Sequence, residues 1–281
     1  MKNTQQLPYL LDLLDDDSDV VQESVLKELS SFGPSLEHEL KRLEISLSPN
    51  QKDLLHSRLG EYHRSLLKEQ WQTLINKEKD TVQLESALAL LAEFQYGKEY
   101  PVKISTLLDG LADEYARTFS YADAIVLAHF LFFKKGMKGA ESDYYNPLNC
   151  NLAYVLQEKR GIPISLVSVY ILVGERLGLT IHGCNFPGHF LAIATSGNQM
   201  FVVDCYNGGR IVNRSDLNTP NGSTSLSLQN LLRLQCDTST IIARTLRNLL
   251  NAYAKAGEEE NALLMVELLD TMESFKDDDE S

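Results

Sequence analysis

Two side chains of complementary chemistry, His189 and Asp204, stand in neighbouring segments of alternating apolar character, HFLAIA and MFVVDCY. SGNQ separates them, and its Gly197-Asn198 pair suits a two-residue II′ or I′ hairpin turn. With those two residues as the loop, Ser196 pairs with Gln199, Leu191 faces Asp204 and His189 faces Tyr206. His189 and Asp204 then share a sheet face as diagonal neighbours, roughly 7–8 Å apart at the backbone and within side-chain reach. A three-residue loop would break that parity. An imidazole beside a carboxylate can serve as an oriented base, and it can equally fix strand register and helix docking from the centre of a sheet.

A base needs a group to act on, and the thiols are the first to weigh. Cys150, Cys184, Cys205 and Cys236 are scattered without a CxxC pair, which favours free thiols over a disulfide frame or a structural zinc site. Cys205 neighbours Asp204 on a strand, so it should face away from His189 and into the core. Cys150 falls where a helix begins, a position that can activate a thiol and that also suits a small buried packing residue. Cys184 lies five residues before His189 across Pro187-Gly188, where parity cannot be followed. Ser165, near the start of another helix, is either a hydroxyl nucleophile dependent on strong base help and an oxyanion hole, or a helix-capping serine. His182 and Cys184 share a strand face and with His189 and Asp204 would make four ligands, but the spacing matches no established zinc pattern, so no metal and no cofactor is expected. His182 and His129 read as satisfied core histidines, whereas His38, His56 and His63 sit in polar helical surroundings and read as solvated.

The elements that must position these groups follow from periodicity. IHGCNF, HFLAIA, MFVVDCY and RIV alternate as strands of an antiparallel meander, with Asn207-Gly208 suited to a second tight hairpin. Before them, SLVSVYILVGERLG places Leu166, Tyr170, Val173 and Leu177 on one stripe of a largely buried helix. The preceding helix has Asn149 as its candidate N-cap, a face of Leu152, Val155 and Leu156, and Gly161 past its end. The first hundred residues read as helices: Leu7, Leu10, Leu11 and Leu14 form one stripe, and Val21, Val25, Leu29 and Phe32 form the next before Gly33-Pro34. That pair has the pattern of one HEAT-type repeat. Leu55, Leu59, Tyr62 and Leu66, then Leu84, Leu88 and Leu91, continue in the same period, and Ile104 to Phe133 adds two more helices. Toward the end, Leu246, Leu249, Leu250 and Tyr253 precede a Gly257 break, and Ala262, Leu263, Val266 and Leu269 follow it, as in a tetratricopeptide-like hairpin.

Composition narrows the function classes. The 281 residues carry 26 Lys plus Arg against 39 Asp plus Glu, a formal net charge of −13, so a nucleic-acid partner is not expected. The longest apolar stretches fall short of the roughly 20 residues that a spanning helix needs. No membrane association and no secretory signal is read, and a reducing cytoplasm is the expected location.

The string YYNPLNCNLAYVLQEKRGIPISLVSVYILVGERLGLTIHGCNFPGHFLAIA, followed by VVDCYNGG, closely resembles the SirB-type family of transglutaminase-like proteins, as ARTLRNLLNAY resembles that family's C-terminal helical segment. The resemblance covers roughly residues 84 to 270 and rests most on GIPISL, RLGL, PGHFL and the Asp before NGG. It implies an α+β protein: a helical N-terminal region, a papain-like transglutaminase core whose helix packs on an antiparallel sheet carrying His and then Asp, and a C-terminal helical hairpin. The expected boundaries are 1–100 helical and HEAT-like at the start, 101–225 core, 226–276 tetratricopeptide-like hairpin and 277–281 acidic tail. Active members place a Cys at the start of the central helix, where the helix dipole and an imidazole lower its pKa. Here that turn reads Gly161-Ile162-Pro163-Ile164-Ser165. His189 and Asp204 occupy the family's His and Asp positions while the cysteine is missing. The expected function is therefore a non-catalytic module that binds a protein or peptide over His189, lined by Tyr144, Asn149, Asn185 and Asp204. The alternative is a cysteine hydrolase or acyltransferase in which a displaced thiol works with His189 and Asp204.

Overall fold

The computed structural model describes residues 4–75, 81–96, 103–186, 189–212 and 234–279. The chain forms two compact units, one of residues 1–76 with 90–101 and the other of residues 77–89 with 102–281. Pro187, Gly188 and the polar loop NTPNGSTS lie outside the described residues.

The first unit is helical. Pro8 opens α1 (Leu7–Asp12), its missing N–H costing nothing at a helix start, and α2 (Asp19–Ser31), α3 (Leu36–Arg42) and α4 (Pro49–Ile75) follow. Leu7, Leu14, Val25, Leu29, Phe32, Leu36, Leu40 and Leu55 bury together as its core. His63 is not solvated. Its Nε2 and Ser30 Oγ share a 2.8 Å hydrogen bond, and burial followed by the Arg64 charge lowers its pKa.

The boundary between the units falls within α5 (Thr81–Tyr96). In the second unit, α6 (Ile104–Thr118) leads to α7 (Ala124–Ala128), whose first turn is capped by Asp123 accepting from the amides of Ile125 and Val126. The chain then widens into a π-helical turn, His129–Lys134, marked by the 2.8 Å bond from Lys135 N to Phe130 O. Phe130, Leu131 and Phe132 go inward there. His129, expected in the core, is instead exposed and stacked on Phe133, because the wider turn carries its side chain off the apolar stripe. His182 is half-buried rather than enclosed.

Two short parallel strands come next, β1 (Lys138–Gly139) and β2 (Arg160–Gly161), flanking a 3-10 turn at Pro147–Cys150 and α8 (Leu152–Glu158). Asn151, not Asn149, caps α8 by accepting from the Tyr154 amide, and the helix ends on Lys159 at φ 58° rather than at Gly161, which is drawn into β2. The helix α9 (Pro163–Arg176) is buried continuously from Ile164 to Gly174. Its Arg176 guanidinium donates to Asp109 at 2.6 Å and to Glu85 at 3.0 Å, tying α9 to α6 and to the first half of α5.

The antiparallel sheet runs in the order β6-β5-β4-β3-β7, with β3 (Ile181–Phe186), β4 (His189–Ser196), β5 (Gln199–Asp204), β6 (Arg210–Ile211) and β7 (Gln235–Cys236). Ser196 pairs with Gln199 and Ala192 with Val203, the register that a two-residue Gly197-Asn198 loop dictates. Gly197 has φ +56° while Asn198 stays negative, the II′ pattern. The β5–β6 connection is not a two-residue hairpin. Asp204 pairs with Arg210, which leaves five residues between them, and both Gly208 and Gly209 take positive φ to close the loop. Strand β7, antiparallel to β3, had no counterpart in the expected meander.

The chain closes with α10 (Thr238–Ala256), capped by Asp237 and stopped by Gly257 at φ 76°, and α11 (Glu259–Asp279). The buried face of α11 is Ala262, Leu264, Met265, Leu268, Leu269 and Met272. Leu263, expected inward, is 60% exposed, and Val266 is also exposed. The α+β class holds, with helices before and after an antiparallel sheet.

Candidate functional site

The end of β5 and the start of β4 bring His189 and Asp204 together, with Nε2 3.6 Å from Oδ2. That separation is an ion-pair distance and longer than a hydrogen bond. Asp204 is 1% exposed, and its carboxylate accepts from Asn207 N at 3.1 Å, from Asn207 Nδ2 at 2.7 Å and from Arg210 Nε at 3.4 Å. A buried carboxylate demands such donors. The His189 side chain keeps 34% of its surface exposed.

Tyr206 forms the wall beside the imidazole, with ring centroids 6.4 Å apart, and the Tyr144 ring packs edge-on to Tyr206 at 6.3 Å. The Tyr206 hydroxyl donates to Ala140 O at 3.1 Å, and its ring lies on Gly139, where an added Cβ would come within 2.5 Å. Glycine is required at 139 for that close approach. Burial pushes the phenols of Tyr144 and Tyr206 above their ordinary range. Tyr206 is the wall residue that the sequence reading passed over. Its signal was the predicted pairing opposite His189.

The other candidates are committed elsewhere. Asn149 is buried, its amide donating to the carbonyls of Asp143 and Tyr144 and its own carbonyl accepting from Ser165 Oγ at 2.8 Å. Ser165 therefore does not cap α9. Pro163 takes the first helical position after Ile162, and the Ser165 hydroxyl, within the first turn, pins α9 to the Pro147–Cys150 turn. Asn185 is exposed on β3 and accepts from the guanidinium of Arg244 on α10, which lies 5.1 Å over the Phe190 ring.

The thiols are no better placed for chemistry. Cys150 ends the 3-10 turn instead of opening α8, and complete burial pushes its thiol up to about 12. Burial likewise raises Cys184 to about 12. Cys205 lies in the turn just after β5, fully buried, and is held well above its usual value by burial first and by the Asp204 charge second. Cys236 is half-buried and also raised, mainly by burial. Among the described residues, His189 makes no hydrogen bond to a thiol or a hydroxyl, and no three His, Cys, Asp or Glu side chains gather as a metal set. Among them too, no helix is long and apolar enough to cross a membrane.

A buried helix against an antiparallel sheet that carries His and then Asp is the arrangement of a transglutaminase-like core, and the family model described as the transglutaminase-like superfamily matches residues 100–247, more than half of the chain. A UPF0162 protein of Xylella fastidiosa is 31% identical over 211 residues, covering 68% of this chain and 72% of its own. The chain therefore belongs to the transglutaminase-like superfamily and, within it, to the UPF0162 proteins. A UPF0162 protein of Vibrio cholerae is 31% identical over 156 residues, 53% of this chain and 56% of its own. A shorter match, 36% over 78 residues, joins 28% of this chain to 12% of the F-box only protein 21 of Mus musculus. No solved structure matches the chain.

Proposed function

We propose that this protein is a non-catalytic, SirB-type member of its superfamily that binds a peptide or protein segment over His189, in the cytoplasm, with its first helices acting as a HEAT-like addition. One observation carries the reading: every thiol has its pKa raised, mainly by burial, and the turn entering α9 holds Pro163, Ile164 and Ser165 where an active core holds cysteine. The catalytic thiol in such a site must instead have its pKa lowered. Ser165 offers no replacement, since its proton is given to Asn149 O. What is left is a half-exposed imidazole beside the Tyr206 ring, which is itself packed against Tyr144, and such a surface suits recognition of a backbone or side-chain amide. The competing reading, a cysteine hydrolase or acyltransferase with a displaced thiol, is opposed by the same four raised pKa values.

Incubation of the full chain with fluorogenic amide, peptide and ester substrates tests the proposal. No turnover above the buffer rate is expected. Turnover that disappears in His189→Ala would overturn it.

A further inference from the structure

Next to the His189 wall lies a cleft of about 530 Å³, bounded by Phe132, Lys138, Arg160, Tyr206, Asn207 and Gly208. Its chemistry runs against that of the whole chain, which carries a formal net charge of −13. Lys138 and Arg160 are register partners in the parallel β1–β2 pair, and partners in a ladder project to the same side from backbones roughly 5 Å apart. Two cations are thus set side by side at one rim.

Neither cation is neutralised among the described residues. By contrast, Lys135 is paired with Glu114 at 2.7 Å, and Lys134 lies 4.7 Å over the Phe119 ring. Arg160 is half-buried, and a planar guanidinium takes a carboxylate in two parallel hydrogen bonds. Glu141 also borders the cleft, exposed and unpaired among the described residues, and it repels an anion from that side. Asn207 gives its backbone N–H and one hydrogen of its side-chain amide to Asp204, which leaves the second amide hydrogen as a neutral donor at the rim.

Tyr206 connects the two regions, since the ring beside His189 also borders this cleft. We infer that the segment bound over His189 is acidic and that its carboxylates seat between Lys138 and Arg160. This rests on the peptide-binding reading above and names the chemistry of the partner.

Fluorescence anisotropy with two fluorescein-labelled nonapeptides of equal apolar and aromatic content separates the two claims. One carries four Glu and a free C-terminal carboxylate, the other four Gln and a C-terminal amide. Two exposed or half-exposed ion pairs give the acidic peptide an advantage of roughly tenfold at low salt, and it should shrink as salt screens it. The Lys138→Gln/Arg160→Gln double variant should bind both peptides alike, and Glu141→Gln should tighten the acidic one a few-fold. Equal affinity of both peptides for the unaltered chain overturns the inference and leaves peptide binding standing, as does an acidic preference that survives in a double variant of unchanged circular dichroism. Failure of the unaltered chain to bind either peptide rejects the peptide-binding reading and the inference with it.

Discussion

Alkylation of the four thiols gives the most direct measure of whether this core retains a nucleophile. A cysteine with a pKa of about 12, as burial imposes on Cys150 and Cys184, is thiolate at pH 7.5 to about 3 parts in 10⁵, against about one part in ten for a free thiol of pKa about 8.5. Only the thiolate reacts with iodoacetamide, so these two should be labelled about 3,000-fold more slowly than free cysteine before restricted access is counted. Cys205 should be slower again, since burial and the neighbouring Asp204 carboxylate both oppose its ionisation. Half-buried Cys236 should react first, and still more slowly than free cysteine. Intact-mass spectrometry over a time course at pH 7.5 should show a single slow adduct, with three more only after denaturation, and the same rates in His189→Ala. One thiol that outpaces free cysteine and slows when His189 is removed would refute the reasoning.

Two further outcomes follow from contacts already described. Gly139→Ala should destabilise the second unit by about 1–3 kcal/mol, the usual cost of overpacking, because its Cβ would press within 2.5 Å of a Tyr206 ring that is tethered at its hydroxyl; unchanged urea unfolding would contradict it. His63 has its pKa lowered from 6.5 by burial, so the unfolded chain takes up the proton first. Its contribution to stability is full above pH 6.5 and is lost as pH falls through the lower folded value. Thermal unfolding followed by circular dichroism should therefore fall off less steeply below pH 6.5 in His63→Gln, and parallel curves would refute this.

How much of this was legible beforehand differs by element, for physical reasons. Alternation along 189–204 and a Gly-Asn turn specify strand pairing locally, so the β4–β5 register could be written from residues a few positions apart. The buried α9 was equally plain from its long apolar stripe. In α11 the run Ala262 to Val266 is apolar at every position, so more than one stripe satisfies a helical period, and contact with α10 decided in favour of Leu264, Met265 and Leu268. Asn149 and Asn151 are both good caps, and the choice depended on a 3-10 turn that uses Asn146 as its own cap. The role of Ser165 rests on a carbonyl sixteen residues away, which no local pattern encodes.

The two members of the central pair answer to different demands. The Asp204 carboxylate anchors Asn207 twice, and its backbone carbonyl accepts from Gly209 N at 2.9 Å, so it shapes the loop that presents Tyr206. That work accounts for a buried acid at this position whether or not anything binds nearby. Removing it would strip the loop of the hydrogen bonds from Asn207 and Arg210 and disturb the wall, so loss of binding in Asp204→Ala could not be told from loss of the loop. His189 has no such duty. Its ring is partly exposed, it sits beyond hydrogen-bond distance of the acid, and among the described residues it holds no backbone group in place. The imidazole is therefore the member of the pair that folding leaves unexplained, and variants at 189 rather than 204 are the ones that can separate a ligand site from a structural clasp.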